Sequence, residues 1–170
     1  MKYGRLAWMN SADGTPVIWV IAIRLFRKYN PSHTNENQTM LFEYVLSAQR
    51  EDFYDVTPQV RESAAKSGVM SGTAVIYCPH TTAGMTINEN ADPDVVHDLL
   101  IGLGKAFPDR SEFRHAEGNS TAHLKASVMG SGVTVIVENR KLLLGTWQSI
   151  YFCEFDPPRN RKFYVKVQGE

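Results

Sequence analysis

The sequence predicts an α+β fold with antiparallel strands dominating its C-terminal half. After residue 40, runs of strand formers alternate with about three segments of helical spacing. Those helical segments have recognisable start and stop residues. From Val133 onward the chain reads as strands separated by turns. The 170 residues suit one domain. With 43% hydrophobic and 21% charged residues, the composition is ordinary for a globular protein and argues against wholesale disorder.

Residues 1–39 stand apart. Tyr29 to Thr39 is polar, contains Pro31 and reads as a linker or loop, with His33 in solvent. Met40 opens the dense region and is a plausible initiator. Residues 1–39 are therefore expected to be an N-terminal extension or upstream segment, and 40–170 the domain. Leu41–Leu46 is a strand. Thr57-Pro58 starts a helix, with Thr57 as cap, Val60, Ala64 and Ala65 on one face and Gly68 as its end. Thr73–Cys78 is a continuous apolar run, expected to be a strand buried on both faces and stopped by Pro79. A second helix starts at Asp92-Pro93-Asp94, where carboxylates meet the positive end of the helix dipole. Leu99, Leu100 and Leu103 keep its spacing, while Gly102 and Gly104 weaken its end. A third helix runs from Asn119 or Ser120 to Gly130. Val133–Val137 and Lys141–Leu144 form a hairpin across Glu138-Asn139-Arg140. Trp147–Phe155 and Phe163–Val167 follow, the last with Phe163, Val165 and Val167 on one face.

Composition excludes several functions. The chain has 18 Lys+Arg against 18 Asp+Glu, without the basic excess of a polyanion binder, so no nucleic-acid partner is expected. Cys78 and Cys153 form no C-x-x-C and read as two buried thiols of a reducing compartment. The apolar run Val17–Ile23 is too short to span a membrane, and Arg24, Arg27 and Lys28 follow where a signal-peptide cleavage site would lie. A cytoplasmic location without membrane contact is the expectation.

Polar residues cluster in three places: His80 to Asp92, read as a loop between a strand and a helix; Arg114 to His123; and Gly145 to Gln148, continuing into Glu154 to Arg159. Three neutral imidazoles, His80, His115 and His123, make a candidate site for a divalent metal. Alternatively they are separate polar or capping residues. His97, inside the second helix, is structural. Glu89, among Thr86, Asn88 and Asn90, is a candidate base or Mg²⁺ ligand. Asp92 is either a helix cap or a site residue. Trp147 is core or a stacking wall for a flat heterocycle. Arg159, after Pro157-Pro158, suits a phosphate or carboxylate, or solvent. His115-Ala116-Glu117 matches the H-x-E of zinc deaminases, but the required P-C-x-x-C is missing. Gly102-Leu103-Gly104-Lys105 is not a P-loop, and there is no G-x-S-x-G elbow.

Together the strings His80-Thr81-Thr82-Ala83-Gly84, Thr86 to Asp94, His115 to Ser120, Ala122-His123, Leu144 to Gln148 and Glu154-Phe155-Asp156 resemble the YjbQ family (UPF0047) across residues 40–170. The resemblance implies a compact α+β single domain with mixed or antiparallel sheets, assembled as a homotrimer. It implies a divalent metal, Zn²⁺ or Mg²⁺, held by His80, His115 and His123. Some family members carry the label secondary thiamine-phosphate synthase. That enzyme couples hydroxymethylpyrimidine diphosphate to thiazole phosphate and releases pyrophosphate, as a main role or a side activity. Carried onto this chain, Glu89, Glu117 and Asn119 are the expected catalytic residues. Thr81, Thr82, Asn88, Asp92, Trp147, Gln148 and Arg159 are expected to bind a phosphorylated heterocycle, with Arg114 and Lys125 as further charge. Two alternatives stand beside this: a metal-dependent hydrolase with Glu89 or Glu117 as base, and a non-catalytic metal- or ligand-binding trimer. The chain departs from the family pattern at Pro157, where glycine is expected and the aim of Arg159 is affected. It departs also at Asn139-Arg140, which lacks a turn glycine, and at Ile136, in place of proline.

Overall fold

Alternation along the strands decides the inner face of the larger sheet. In the computed structural model, which describes residues 18–22 and 38–169, that sheet has the order β1-β2-β9-β4-β6-β7. Its strands are β1 (Ile18–Ala22), β2 (Thr39–Ala48), β4 (Ser71–Tyr77), β6 (Gly132–Glu138), β7 (Lys141–Leu142) and β9 (Arg159–Gly169). A smaller sheet has the order β3-β8-β5, from β3 (Asp52–Asp55), β8 (Gln148–Glu154) and β5 (Ala83–Glu89). Three helices complete the described residues: α1 (Thr57–Ser67), α2 (Pro93–Ala106) and α3 (Ser120–Met129). Among the described residues every strand pair is antiparallel, the second of the two expected sheet types.

β2 and β9 pair over their full lengths, from Thr39↔Gln168 to Ala48↔Arg159. Every second side chain of each points inward: Phe42, Tyr44, Leu46 and Ala48 from β2, and Phe163, Val165 and Val167 from β9. The Tyr44 and Phe163 rings stack at 5.0 Å. Ala74, Ile76, Val135 and Val137 extend this face, and Val60 and Ala64 of α1 pack against it. Met85, Ile150 and Phe152 of the small sheet close the same core. The other face of the small sheet, with Phe53, Tyr151, Cys153 and Phe155, meets Ala122 and Ala126 of α3 and Val96, Leu99, Leu100 and Leu103 of α2. The small sheet is thus a middle layer, which explains why β8 is apolar on both faces. Each fully buried large apolar side chain contributes roughly 1.5–3 kcal/mol.

Several local expectations are corrected. Thr57 is the first residue of α1 and does not cap it; its Oγ1 accepts the Ile150 N–H at 2.8 Å, while Asp55 Oδ1 takes the Thr57 N–H. Ala65 is exposed, and Ser63 and Ser67 fill the inner face of α1 instead, their hydroxyls bonded to carbonyls one turn back. Gly68 does end α1, in the left-handed conformation at φ 75°. β4 is buried on one face only, with Tyr77 exposed. The expected loop after His80 is a strand, β5, paired with β8 from Ala83↔Glu154 to Glu89↔Gln148. α2 continues through Gly102 and Gly104 to Ala106, with no residue fully buried. The segment 29–37, with His33, lies outside the described residues; Thr39 belongs to β2.

Candidate functional site

α3 has little intrinsic amphipathic character, so its place is set by what it touches. Ala122 and Ala126 sit against the small sheet. Lys125 is buried, its Nζ 2.7 Å from Glu51 Oε1 and 6.0 Å from the centre of the Phe155 ring. Lys125 therefore faces the sheet and is not the free charge expected for a substrate. Gly84 of β5 lets the end of α3 come close: a Cβ there would stand 2.8 Å from the Gly130 carbonyl oxygen and from Met129 Cβ. The Met85 N–H reaches the Gly130 carbonyl at 3.0 Å.

The outward side of α3 carries Ser120, His123, Leu124 and Ser127. With Phe113 and His115 they line an open depression of about 450 Å³. His115 is folded back over the helix by a turn that the Gly118 N–H closes on the His115 carbonyl at 3.1 Å. Gly118 adopts φ 71°, which favours glycine. The His115 and His123 rings meet edge to face at 5.1 Å, and Glu117 Oε2 lies 4.0 Å from His115 Nε2.

Asn119 stands just before α3. Its Nδ2 donates to Asp156 Oδ2 at 3.1 Å and to Glu117 Oε2 at 3.5 Å, leaving Oδ1 buried with no hydrogen-bond partner among the described residues. Asp156 Oδ2 also accepts from the Arg159 guanidinium at 2.9 Å. Burial works to raise the Asp156 pKa, but the bonds from Arg159 and Asn119 outweigh it and hold the carboxyl below its ordinary value. Arg159 is therefore aimed at Asp156, across the cis Pro157-Pro158 bond.

The other expected site residues fall elsewhere. His80 Nε2 accepts the Lys162 N–H at 2.9 Å. Its ring packs edge-on to Phe152, and burial, reinforced by the Arg161 charge, lowers its pKa. Among the described residues no three His, Cys, Asp or Glu side chains form one metal-sized group. Of the expected trio, His115 and His123 are brought together here, while His80 sits against the Lys162 amide and the Phe152 ring. Thr82 is buried and accepts from Arg161, whereas Thr81 is exposed. Asn88 Oδ1 accepts the neighbouring Glu89 N–H, and Asp92 caps α2 by accepting the Asp94 N–H. Glu89 ends β5, about 20 Å of strand from Ala83 at the rise of an antiparallel strand. Its carbonyl accepts from the Tyr151 hydroxyl, whose pKa is pushed up to about 12, chiefly by burial. Trp147 is 64% exposed, so it is neither core nor a wall of the histidine depression. Gln148 Oε1 closes a turn on the Gly145 N–H. Asn139 and Arg140 take positive φ, 52° and 62°, in the hairpin turn where glycine was expected.

Phe113, which no motif marks in the sequence, is the aromatic wall of the depression. Glu154 stands in one of the quoted motifs, but its buried partner Arg161 has no signal beyond a charge on the far side of the Asp156-Pro157-Pro158 turn.

Residues 43–170 match the family described as UPF0047 protein YjbQ-like. The chain belongs to the YjbQ family. Over 126 residues it is 52% identical to the UPF0047 protein YugU of Bacillus subtilis, covering 74% of this chain and 96% of that one. A UPF0047 protein of Methanocaldococcus jannaschii is 52% identical over 132 residues, 77% and 96% of the two chains. The crystal structure of a YjbQ family member from Clostridium acetobutylicum superposes with a TM-score of 0.72 at 57% identity, over 74% of this chain and 98% of that one. A YbjQ-like protein of Sulfolobus solfataricus, 29% identical, gives 0.76 over 79% and 100%. The YjbQ motifs quoted from the sequence lie within the matched span.

By type, the imidazoles of His115 and His123 and the carboxylate of Glu117 are donors that a divalent metal takes, although among the described residues no three such side chains are gathered at metal-binding distances.

Proposed function

We propose that this YjbQ protein is a metal-dependent enzyme acting on a phosphorylated small molecule in the α3 depression. The reaction most in keeping with its motifs is transfer of a pyrimidinylmethyl group from its diphosphate to thiazole phosphate, releasing pyrophosphate. The meeting of His115 and His123 beside Glu117 carries this proposal. His115 and His123 would hold the metal, with Asn119 as an oxygen donor; bound there, it would neutralise charge on a departing phosphate. α3 begins without a side-chain cap, so amide groups at its start are left for phosphate oxygens. Phe113 offers the flat apolar wall that Trp147 does not. The exposed apolar side chains Ile136, Leu143 and Trp147 favour burial between subunits of a homotrimer. The two free buried thiols favour a reducing, cytoplasmic compartment.

Hydrolysis of the same class of substrate is the second proposal. It is favoured by the Glu117 carboxylate standing beside an imidazole, where a base would act on water. The test is to incubate purified, Zn²⁺- or Mg²⁺-replete protein with hydroxymethylpyrimidine diphosphate, with and without thiazole phosphate. Coupled product that His115→Ala reduces at least about 100-fold supports transfer. Pyrophosphate release that does not need the thiazole supports hydrolysis. Neither product in the parent protein refutes both.

A further inference from the structure

Glu154 and Arg161 play no part in the chemistry above, yet they form a charged pair deep in the molecule. Glu154 is fully buried, and Arg161 is 7% exposed. The guanidinium grips the carboxylate with two bonds, Nε to Oε2 at 2.5 Å and an NH2 contact to Oε1 at 2.6 Å. It also donates to Thr82 Oγ1 at 2.8 Å. The three residues come from different places. Glu154 ends β8 in the small sheet, Arg161 lies in β9 of the large sheet, and Thr82 precedes β5.

A buried ion pair is a poor stabiliser compared with apolar packing of the same volume, and its best-attested use is to fix one arrangement. Here the arrangement leads outward to the site. Glu154 Oε1 accepts the Asp156 N–H at 2.7 Å. Asp156 in turn takes the Asn119 amide, and Asn119 opens the helix turn that carries His123. On the other side, the Thr82 carbonyl takes the Phe155 N–H at 3.2 Å.

We propose that Glu154 and Arg161 are positioning residues, whose paired charges set Asp156 and Asn119 and so fix the start of α3 with His123 facing His115. The metal part of this inference rests on the function proposed above; the positioning part does not. Arg161 touches neither histidine of the pair and acts only through this chain of bonds.

The test uses the full chain in three forms: parent, Arg161→Lys, and the double variant Glu154→Leu with Arg161→Met. The double variant removes both charges together, so no lone buried charge is left to unfold the protein. The first readout is the side-chain amide of Asn119 by NMR. The second is Co²⁺ titration followed by visible absorption, with thermal melting as the control for folding. The expected result is a cooperative melt in the double variant and an Asn119 amide that exchanges faster and shifts toward the free position. Co²⁺ binding should weaken about tenfold or more, with Arg161→Lys in between. A folded double variant with unchanged amide signals and unchanged Co²⁺ affinity overturns the proposal and leaves the pair as a joint of the fold. If the double variant does not fold, Arg161→Lys decides, and unchanged amide signals there overturn it. If the parent binds no Co²⁺, the metal reading fails while the amide signals still decide positioning.

Discussion

Asp156 shows how a site is tuned one residue at a time. Burial alone would raise its pKa, yet Arg159 and Asn119 hold it below the ordinary 3.8. A carboxyl depressed in the folded state stabilises the fold fully above its unfolded pKa. That stability is lost as pH falls through 3.8 toward the folded value. Melting temperatures measured from pH 6 down to pH 3 should therefore fall more steeply for the parent than for Asp156→Asn; parallel curves would contradict this. His80 behaves in the same sense. Its pKa is lowered by burial and by Arg161, so its neutral ring keeps the Lys162 N–H below 6.5, where a free imidazole has taken a proton. An NMR titration should give His80 a midpoint below 6.5, and a midpoint above it would contradict the buried placement. Asn119 and Asp156 were visible in the sequence because they stand in long polar strings. Arg161 was not, because a charge seven residues from Glu154 looks like any solvated strand residue until two sheets close over it.

Elements show where sequence reading succeeds and where it fails. The cap of α2 at Asp92, the left-handed end of α1 at Gly68 and the inward face of β9 were all legible, because each depends on residues within a turn or a strand of one another. From sequence alone β5 reads as a loop. Its Thr86, Asn88 and Glu89 look like loop residues, and its partner β8 lies some sixty residues later (Ile87 pairs with Ile150). A methyl group at Gly84 would collide with Gly130 and Met129, so Gly84→Ala should destabilise by about 1–3 kcal/mol and weaken metal binding by displacing α3. Equal melting temperature and equal Co²⁺ affinity would contradict it. Arg140, held at φ 62°, is strained relative to glycine. Arg140→Gly should raise stability by about 1 kcal/mol in denaturant unfolding, and an unchanged midpoint would contradict the turn assignment.

At the scale of the molecule, a six-stranded sheet, a three-stranded middle sheet and a pair of helices place the histidine depression on the helical side. No helix among the described residues is long and apolar enough to cross a membrane. The α+β class was legible because strand and helix periods differ. The layering was not, since which face of β8 meets which partner depends on contacts between distant segments. The same limit scattered the expected site. Glu89 ends β5, Asp92 caps α2 and Trp147 is exposed before β8, and none of them lines the depression of His115 and His123. If Ile136, Leu143 and Trp147, all more than half exposed, pack between subunits of the proposed homotrimer, sedimentation gives three times the 19.1 kDa of one chain. Trp147→Glu should lower that mass, and a monomeric parent would contradict the assembly. The most direct test of the central claim is the metal content of protein purified without chelator, for the parent and for His115→Ala and His123→Ala. The account predicts close to one transition-metal ion per chain in the parent and its loss in each variant. Equal occupancy in all three proteins, or no bound metal in a parent supplied with Zn²⁺, would contradict it.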